Sequence, residues 1–395
     1  MMGPQASRHG TGLYRQYLLE RVVHGVAFDQ ALAEELQVQG VRRAFVLAAP
    51  NAQGSAHLER LQRALGDRLA GVCTQIAPHV PMPAVLAAAR QAQALQADHL
   101  VAFGGSSVVD AAKAVAYVLG SGDATPQGLA TMHEPARLDP SRRPADSAHW
   151  LRISALPMTL SAAEHTYFAG VTDPERRVKN LIAHPLMVPQ TVVYDPELTL
   201  PIDVATFLAS GIKAIDHAAE RLASKASHPM SDATAIQALG MLARALPAVA
   251  QAPSDLAARL DCQLGAWLSI TGANAGVRVG ASHALGHVLG AHCGVPHGLT
   301  SCVLLPAVMR WNSPANAAEQ ARVSAALGAP GSAAGEAIAA LVARLGLPLR
   351  LRDVGVAEHD LEAVAAKSLH DPTVRNNPRP VRDAQDALEI LRLAW

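Results

Sequence analysis

Residues 99–119, HLVAFGGSSVVDAAKAVAYVL, decide the fold. An apolar run, HLVAF, enters Gly104-Gly105-Ser106-Ser107, and the alanine-rich helical stretch DAAKAVAYVL follows directly. Strand, glycine turn and helix in that order build a mostly parallel sheet with helices on its faces. Two glycines let an anion approach the backbone, and the N–H groups and dipole of the new helix favour negative charge there. The turn therefore suits a pyrophosphate, although it is neither the G-x-G-x-x-G fingerprint nor a P-loop. It also serves purely steric ends in α/β proteins, with Asp110 and Lys113 as solvent-facing helix charges.

Working outward, RRAFVLAAP, AHLERLQRALGDRL, AGVCTQIA and PAVLAAARQAQALQA continue the alternation of strand and helix upstream of this turn. A Pro- and charge-rich stretch, residues 121–150, reads as a long exposed loop. After VVYDPELTL the β character fades, and from ATFLASGIKAIDHAAERLASKA onward the pattern is helical. The expected organisation is a flexible tail over residues 1–14, an α/β domain over 15–198 with a dinucleotide-binding sheet, and an all-α domain over 199–395. No internal repeat is visible.

Composition narrows the function classes. Half of the 395 residues are hydrophobic and only 17% are charged, enough to bury two cores. Lys plus Arg and Asp plus Glu balance at 33 each, which leaves no electrostatic footprint for nucleic acid or an anionic membrane. The four cysteines, Cys73, Cys262, Cys293 and Cys302, form no C-x-x-C pair and read as reduced thiols. The N-terminus lacks the apolar core of a signal peptide, and no uncharged apolar run reaches 18 residues. A soluble cytoplasmic protein is expected.

The chemistry-bearing residues concentrate in GASHALGHVLGAHCGVPHG, which carries His283, His287 and His297. His283 and His287 stand four apart and project from one helical face, and the Gly-Val-Pro break before His297 allows it to fold back towards them. Far upstream, Lys213, Asp216, His217 and Glu220 share a face at i, i+3, i+4 and i+7. Neutral imidazole is both a metal ligand and a proton carrier near neutral pH, so the cluster suggests catalysis. Among 17 histidines some clustering also arises by chance.

Joined in order, these segments resemble the iron-containing (group III) alcohol dehydrogenase superfamily, which shares its architecture with 3-dehydroquinate synthase. The Gly-Gly-Ser-Ser-x-x-Asp-x-x-Lys of residues 104–113 is similar to its cofactor loop, with Ser106 in place of a third glycine. LPMTLSAAEHT, residues 156–166, resembles its I-P-T-T-x-x-x-x-S-E segment, and H-x3-H-x9-H and G-x-x-A-x-x-H-A-x-E resemble its metal-site helices. The segment LRLRDVGVAEHDL and the ending NNPRPVRDAQDALEILRLAW are similar to the maleylacetate reductase branch, and RRAFVLAAP resembles the first strand of that branch. Asp110, where that branch often has glycine, and LSAAEHT, in place of Y-A-G-S-E-M-T, depart from it.

The resemblance implies hydride transfer between NAD or NADP and a small carbonyl or enone substrate in a cleft between the two domains of a homodimer. It places Gly104, Gly105, Ser106, Ser107 and Asp110 at the cofactor's pyrophosphate, with Thr159, Leu160 and Ser161 beside the nicotinamide nucleotide. After VLAAP no acidic residue stands where an adenosine ribose would be gripped, so NADPH is expected to be tolerated. His217, His283 and His297 line the reacting centre and are the ligands if Fe²⁺ or Zn²⁺ binds. His287 is the candidate proton relay, because the family's middle histidine lies nearer the nicotinamide than the metal.

Lys213 is the departure that bears on mechanism. Metal-dependent relatives place a ligand aspartate at this position, and an ammonium offers no lone pair and repels a divalent cation. Two readings stand: Asp216 turns in as a replacement ligand, or the site is metal-free and Lys213 itself supplies the cation. The second is favoured, since maleylacetate reductases also lack the aspartate. Without a catalytic role, Lys213 and Asp216 would form a surface ion pair. The alternatives are a metal-dependent alcohol dehydrogenase, a dehydroquinate synthase-type lyase and a non-catalytic binding protein.

Overall fold

The computed structural model describes residues 19–122, 125, 150–176, 178–274 and 276–395, and of Val178 and His297 the backbone alone. The expected tail and nearly all of the 121–150 loop lie outside the described residues. The chain divides between Ile202 and Asp203 into two compact units.

The first unit holds six parallel strands, β1 (Arg21–His24), β2 (Ala44–Ala48), β3 (Leu69–Cys73), β4 (His99–Gly104), β5 (Arg152–Pro157) and β8 (Thr191–Tyr194), in the order β1-β8-β5-β4-β2-β3. Strands β2 and β4 are buried along their whole length, which is why both read as unbroken apolar runs: helices cover both faces of a parallel sheet. Helices α1 (Phe28–Val38), α2 (Ala56–Leu65), α3 (Met82–Ala94) and α4 (Ser106–Ser121) alternate with these strands. On α2 the buried positions Leu58, Leu61 and Leu65 recur at helical spacing, and Ser55 caps the Leu58 N–H. Each such leucine contributes ~1.5–3 kcal/mol of burial.

Two parts of this unit differ from the sequence-based expectation. RRAFVLAAP carries the second strand, because β1 precedes it as a half-exposed, four-residue sheet edge. Strands β6 (Phe168–Asp173) and β7 (Val178–Ala183) form a separate antiparallel pair. Asp173-Pro174 between two β-branched runs was the available signal for that turn.

Among the described residues the second unit is helical throughout: α5 (Val204–Leu222), α6 (Pro229–Gln251), α7 (Leu256–Asn274), α8 (Ala281–Cys293), α9 (His297–Ala326), α10 (Ala334–Arg344), α11 (Leu361–Ser368) and α12 (Ala384–Ala394). The parallel sheet followed by an all-helical half is the expected fold class. Asp203 caps α5 through the Thr206 N–H, and every residue from Phe207 to Leu222 is buried. A helix enclosed on all sides has no polar face to spare, so its Lys213, Asp216, His217, Glu220 and Arg221 must find partners inside the protein. Leu285 and Leu289 of α8 pack with Leu304 and Val308 of α9, Val364 of α11 and Leu391 of α12. Helix α6 is long and apolar enough to cross a membrane by composition alone; here it is a core helix, with Leu239, Leu242 and Leu246 buried and Asp232 paired to Arg322 at 2.8 Å.

Candidate active site

In the first unit the glycine turn is shaped by close approach. Gly104 has φ +155°, and a Cβ there would lie 2.8 Å from Val108 Cγ2. At Gly105 an added Cβ would lie 3.3 Å from Thr159 Cγ2, so β5's exit runs directly alongside the turn. Gly105 is the N-cap of α4 and contributes no side-chain cap, while Ser106 is exposed and Ser107, Thr159 and Ser161 are half-buried. Leu160 is buried beneath them. Small residues, an uncapped helix start and flanking hydroxyls fit a phosphate-bearing cofactor.

Asp110 and Lys113 are not solvent-facing helix charges. Lys113 is fully buried, and its Nζ donates to Ala163 O, to Thr166 Oγ1 at 2.9 Å and to Phe168 O at 2.9 Å. Asp110 Oδ2 accepts from Gly170 N at 3.1 Å, and Oδ1 lies 3.8 Å from Lys113 Nζ. Both residues thus tie α4 to the 163–170 turn. Three carbonyl or hydroxyl oxygens around one ammonium explain how a lysine tolerates burial, which still pulls its pKa down to about 8. Beneath it, Glu164 Oε1 accepts from Tyr194 OH at 2.9 Å, and burial raises the Glu164 carboxyl to about 7.

In the second unit, Glu220 organises the start of α8. Its Oε2 accepts from Gly280 N at 2.9 Å and from His283 Nδ1 at 2.8 Å, while Oε1 accepts from Ser282 N at 2.9 Å. An ionised carboxylate here satisfies two otherwise orphaned helix N–H groups and lies at the positive end of the helix dipole. Because His283 gives its Nδ1 proton to Glu220, Nε2 carries the lone pair; that atom is buried without a hydrogen-bond partner. Burial is the main cause that holds the His283 pKa down at about 3, helped by the positive charge of Lys213 and opposed by Asp216. His217 stacks on His283, with ring centroids 4.9 Å apart.

Asp216 Oδ2 accepts from Ser282 Oγ at 2.7 Å, and Oδ1 lies 3.6 Å from His283 Nδ1 with no hydrogen-bond partner. Burial raises its pKa. Lys213 and Asp216, 8% and 0% exposed, are therefore interior groups and not a surface ion pair. Asp216, Glu220 and His283 bring possible ligand atoms within 4.8 Å of one another, but hydrogen bonds already account for that closeness, since both Glu220 oxygens are occupied. Asp216 Oδ1 and His283 Nε2 are buried without hydrogen-bond partners and could offer lone pairs to a cation, with the buried Lys213 beside them and His217 stacked on His283. The Lys213 ammonium offers no lone pair to a cation and opposes a further positive charge at this cluster.

His287 and His283 share a helical face, as the spacing predicts, with ring centroids 6.2 Å apart. Their environments differ: His287 is 43% exposed and its Nδ1 lies 2.7 Å from Asp371 Oδ2. His297 opens α9, and its side chain lies outside the described residues. The sequence reading missed Asp371, and it placed Glu220 on the right face without its capping role.

Two family models match the chain, one for iron-containing alcohol dehydrogenases over residues 20–196 and one for the C-terminal part of the Fe-containing alcohol dehydrogenase family over residues 207–395. The chain belongs to the iron-containing alcohol dehydrogenase family. It is an oxidoreductase, as its relatives across almost the whole length are. It is 33% identical over 375 residues to a maleylacetate reductase of Burkholderia cepacia, covering 94% of each protein. A maleylacetate reductase of Rhizobium sp. strain MTP-10005 is 32% identical over 365 residues, covering 91% of this chain and 92% of that one. The crystal structure of maleylacetate reductase from Agrobacterium tumefaciens superposes with a TM-score of 0.82 at 31% identity and covers 98% of both chains.

Proposed function

We propose that this protein is an NAD(P)H-dependent reductase of a small, anionic, conjugated oxo acid, maleylacetate or a near analogue, and that it works without a resident divalent metal. The observation that carries the reading is Lys213, buried beside His283 where metal-dependent relatives place a carboxylate. Exchanging aspartate for lysine changes the local charge by two units, the charge of a divalent ion. Lys213 thus replaces the positive charge that an ion would otherwise bring.

Reduced NAD(P) supplies the hydride when bound. Gly104, Gly105, Ser106 and Ser107 would hold its pyrophosphate at the start of α4, with Thr159, Leu160 and Ser161 alongside. Hydride addition to one carbon of a conjugated double bond moves negative charge onto the substrate's oxygen as an enolate. The positive charge of Lys213 favours that charge in a water-poor site. A proton delivered from Nε2 of the His287 imidazolium to the neighbouring carbon completes the reduction and leaves the ring neutral, to be reprotonated from water. His217, His283 and His297 line the reacting centre in this reading, while Asp110 supports the cofactor turn through its bond to Gly170 N. A homodimer in the cytoplasm accompanies the proposal.

The test is NADH and NADPH oxidation with maleylacetate, before and after exhaustive chelation, paired with elemental analysis. Turnover that survives chelation in metal-poor protein supports the reading; absence of turnover, or its loss on chelation with recovery on adding Fe²⁺ or Zn²⁺, overturns it. One observation favours the metal-dependent alcohol dehydrogenase as second reading: Asp216 Oδ1 and His283 Nε2 are both buried and without hydrogen-bond partners. Among the described residues, the lyase and binding-protein alternatives have no comparable pair of buried atoms in their favour.

A further inference from the structure

The C-terminal segment that contains the NNPRP motif meets helix α8 at two points. Asp371 Oδ2 lies 2.7 Å from His287 Nδ1, and six residues later Asn377 Oδ1 accepts from Ala281 N at 3.2 Å. Ala281 and His287 are themselves six residues apart, so the segment spans the same stretch of α8, about 9 Å of helix. Asn377 is fixed by a reciprocal amide pair with Asn312, at 3.0 and 2.7 Å, and by donation to Arg379 O at 2.7 Å. Asp371 is equally constrained: its second oxygen, Oδ1, accepts from Thr373 N at 2.8 Å and from Thr373 Oγ1. The carboxylate cannot turn away from the ring without giving up both bonds.

We propose that Asp371 is the positioning residue of His287, holding the imidazole with Nδ1 protonated so that Nε2 is the atom that exchanges a proton with substrate. The proposal rests on the reading that His287 relays the proton. A carboxylate is an acceptor only, so a neutral ring beside it must present an N–H, and the tautomer follows. Asn377 holds the segment against α8 and thereby fixes the distance from Asp371 to the ring.

Asp371→Asn separates positioning from capping. Its amide oxygen still accepts from Thr373, and its NH₂ group takes the place of the oxygen that faces His287, which forces Nδ1 to accept and moves the ring proton to Nε2. Two readouts decide the matter in the full-length chain labelled with ¹⁵N-histidine, with the His287 signals assigned by their absence in His287→Gln. At mildly alkaline pH the wild type should show a protonated Nδ1 and an unprotonated Nε2, and the pattern should reverse in Asp371→Asn. A wild-type ring with its proton on Nε2, or an unchanged pattern in the variant, overturns the proposal whatever the activity. With maleylacetate and NADH, Asp371→Asn should lower kcat by about 10- to 100-fold with KM unchanged. Added to His287→Ala it should cost nothing further. If His287→Ala alone keeps wild-type kcat, the relay reading fails while the tautomer measurement still judges Asp371; if His287→Ala is impaired and Asp371→Asn is not, the positioning role fails and the relay stands.

Discussion

Replacing Glu220 by glutamine should loosen the start of α8 by an amount that its hydrogen bonds set. The carboxylate accepts three: Gly280 N and His283 Nδ1 on Oε2, and Ser282 N on Oε1. An amide has one acceptor atom. If its oxygen takes the place of Oε2, the bonds to Gly280 and His283 survive and Ser282 N faces an NH₂ group. If the amide flips, Ser282 keeps its bond and the other two are lost. At least one buried N–H is therefore left unsatisfied, which costs about 1–3 kcal/mol. Native-state hydrogen exchange reads this locally: protection of the Gly280 and Ser282 amides should fall by about 5- to 150-fold, with α12 unaffected. Protection within about twofold of wild type would show that Glu220 does not cap α8 and would remove the basis for assigning the His283 tautomer.

Three further outcomes follow from the same geometry. Lys213→Asp should convert the cluster into a carboxylate-bearing site that retains near-stoichiometric Fe²⁺ or Zn²⁺, with turnover of maleylacetate lowered by about 10²- to 10³-fold; metal analysis and steady-state kinetics check both, and a variant that stays metal-free and fully active would contradict the role of its charge. Gly105→Val adds a branched side chain where even a Cβ stands 3.3 Å from Thr159, so dinucleotide affinity by calorimetry should be lost while the far-UV spectrum stays native; unchanged affinity would remove the pyrophosphate assignment. His99, 2% exposed, is held at a pKa of about 4 by burial, below its unfolded value of about 6.5. Its stabilising contribution is complete above about pH 6.5 and lost towards pH 4, roughly 3 kcal/mol, and urea unfolding of His99→Asn against wild type should show that narrowing difference; a gap constant with pH would refute it.

How much of this was legible in the sequence depended on the range of the interaction. The GGSS turn, its strand and its helix are local, and the doubly buried β2 and β4 announce themselves as continuous apolar runs. The i, i+4 relation of His283 and His287 is equally local. By contrast, β1 is four half-exposed residues whose partner lies about 170 positions away, too short for any periodicity to mark it. The burial of Lys113 depends on oxygens 50 to 55 residues downstream, so a helix charge that looked solvated is enclosed. Glu220 and His283 are 63 positions apart, and His287 and Asp371 are 84 apart. Helical spacing could place each group on a face, but not name its partner.

Those two long-range pairs bear directly on the chemistry. Both histidines of α8 direct Nδ1 to a carboxylate, supplied by α5 for His283 and by the C-terminal segment for His287. The same tautomer would leave Nε2 as the working atom of each ring, yet the two rings cannot serve the same purpose. Burial holds His283 near a pKa of about 3, so it stays neutral at any physiological pH and can offer a lone pair but not a transferable proton. His287 is 43% exposed and in reach of water, with its Nδ1 held 2.7 Å from Asp371 Oδ2. Asp371 is itself held below the usual carboxylate range: its burial pushes the other way and is outweighed by the bonds to His287 and Thr373. Proton delivery is therefore better supported at His287 than at His283, although both sit on one helix four residues apart. The difference lies in how deeply each ring is buried, which the spacing in the sequence does not encode.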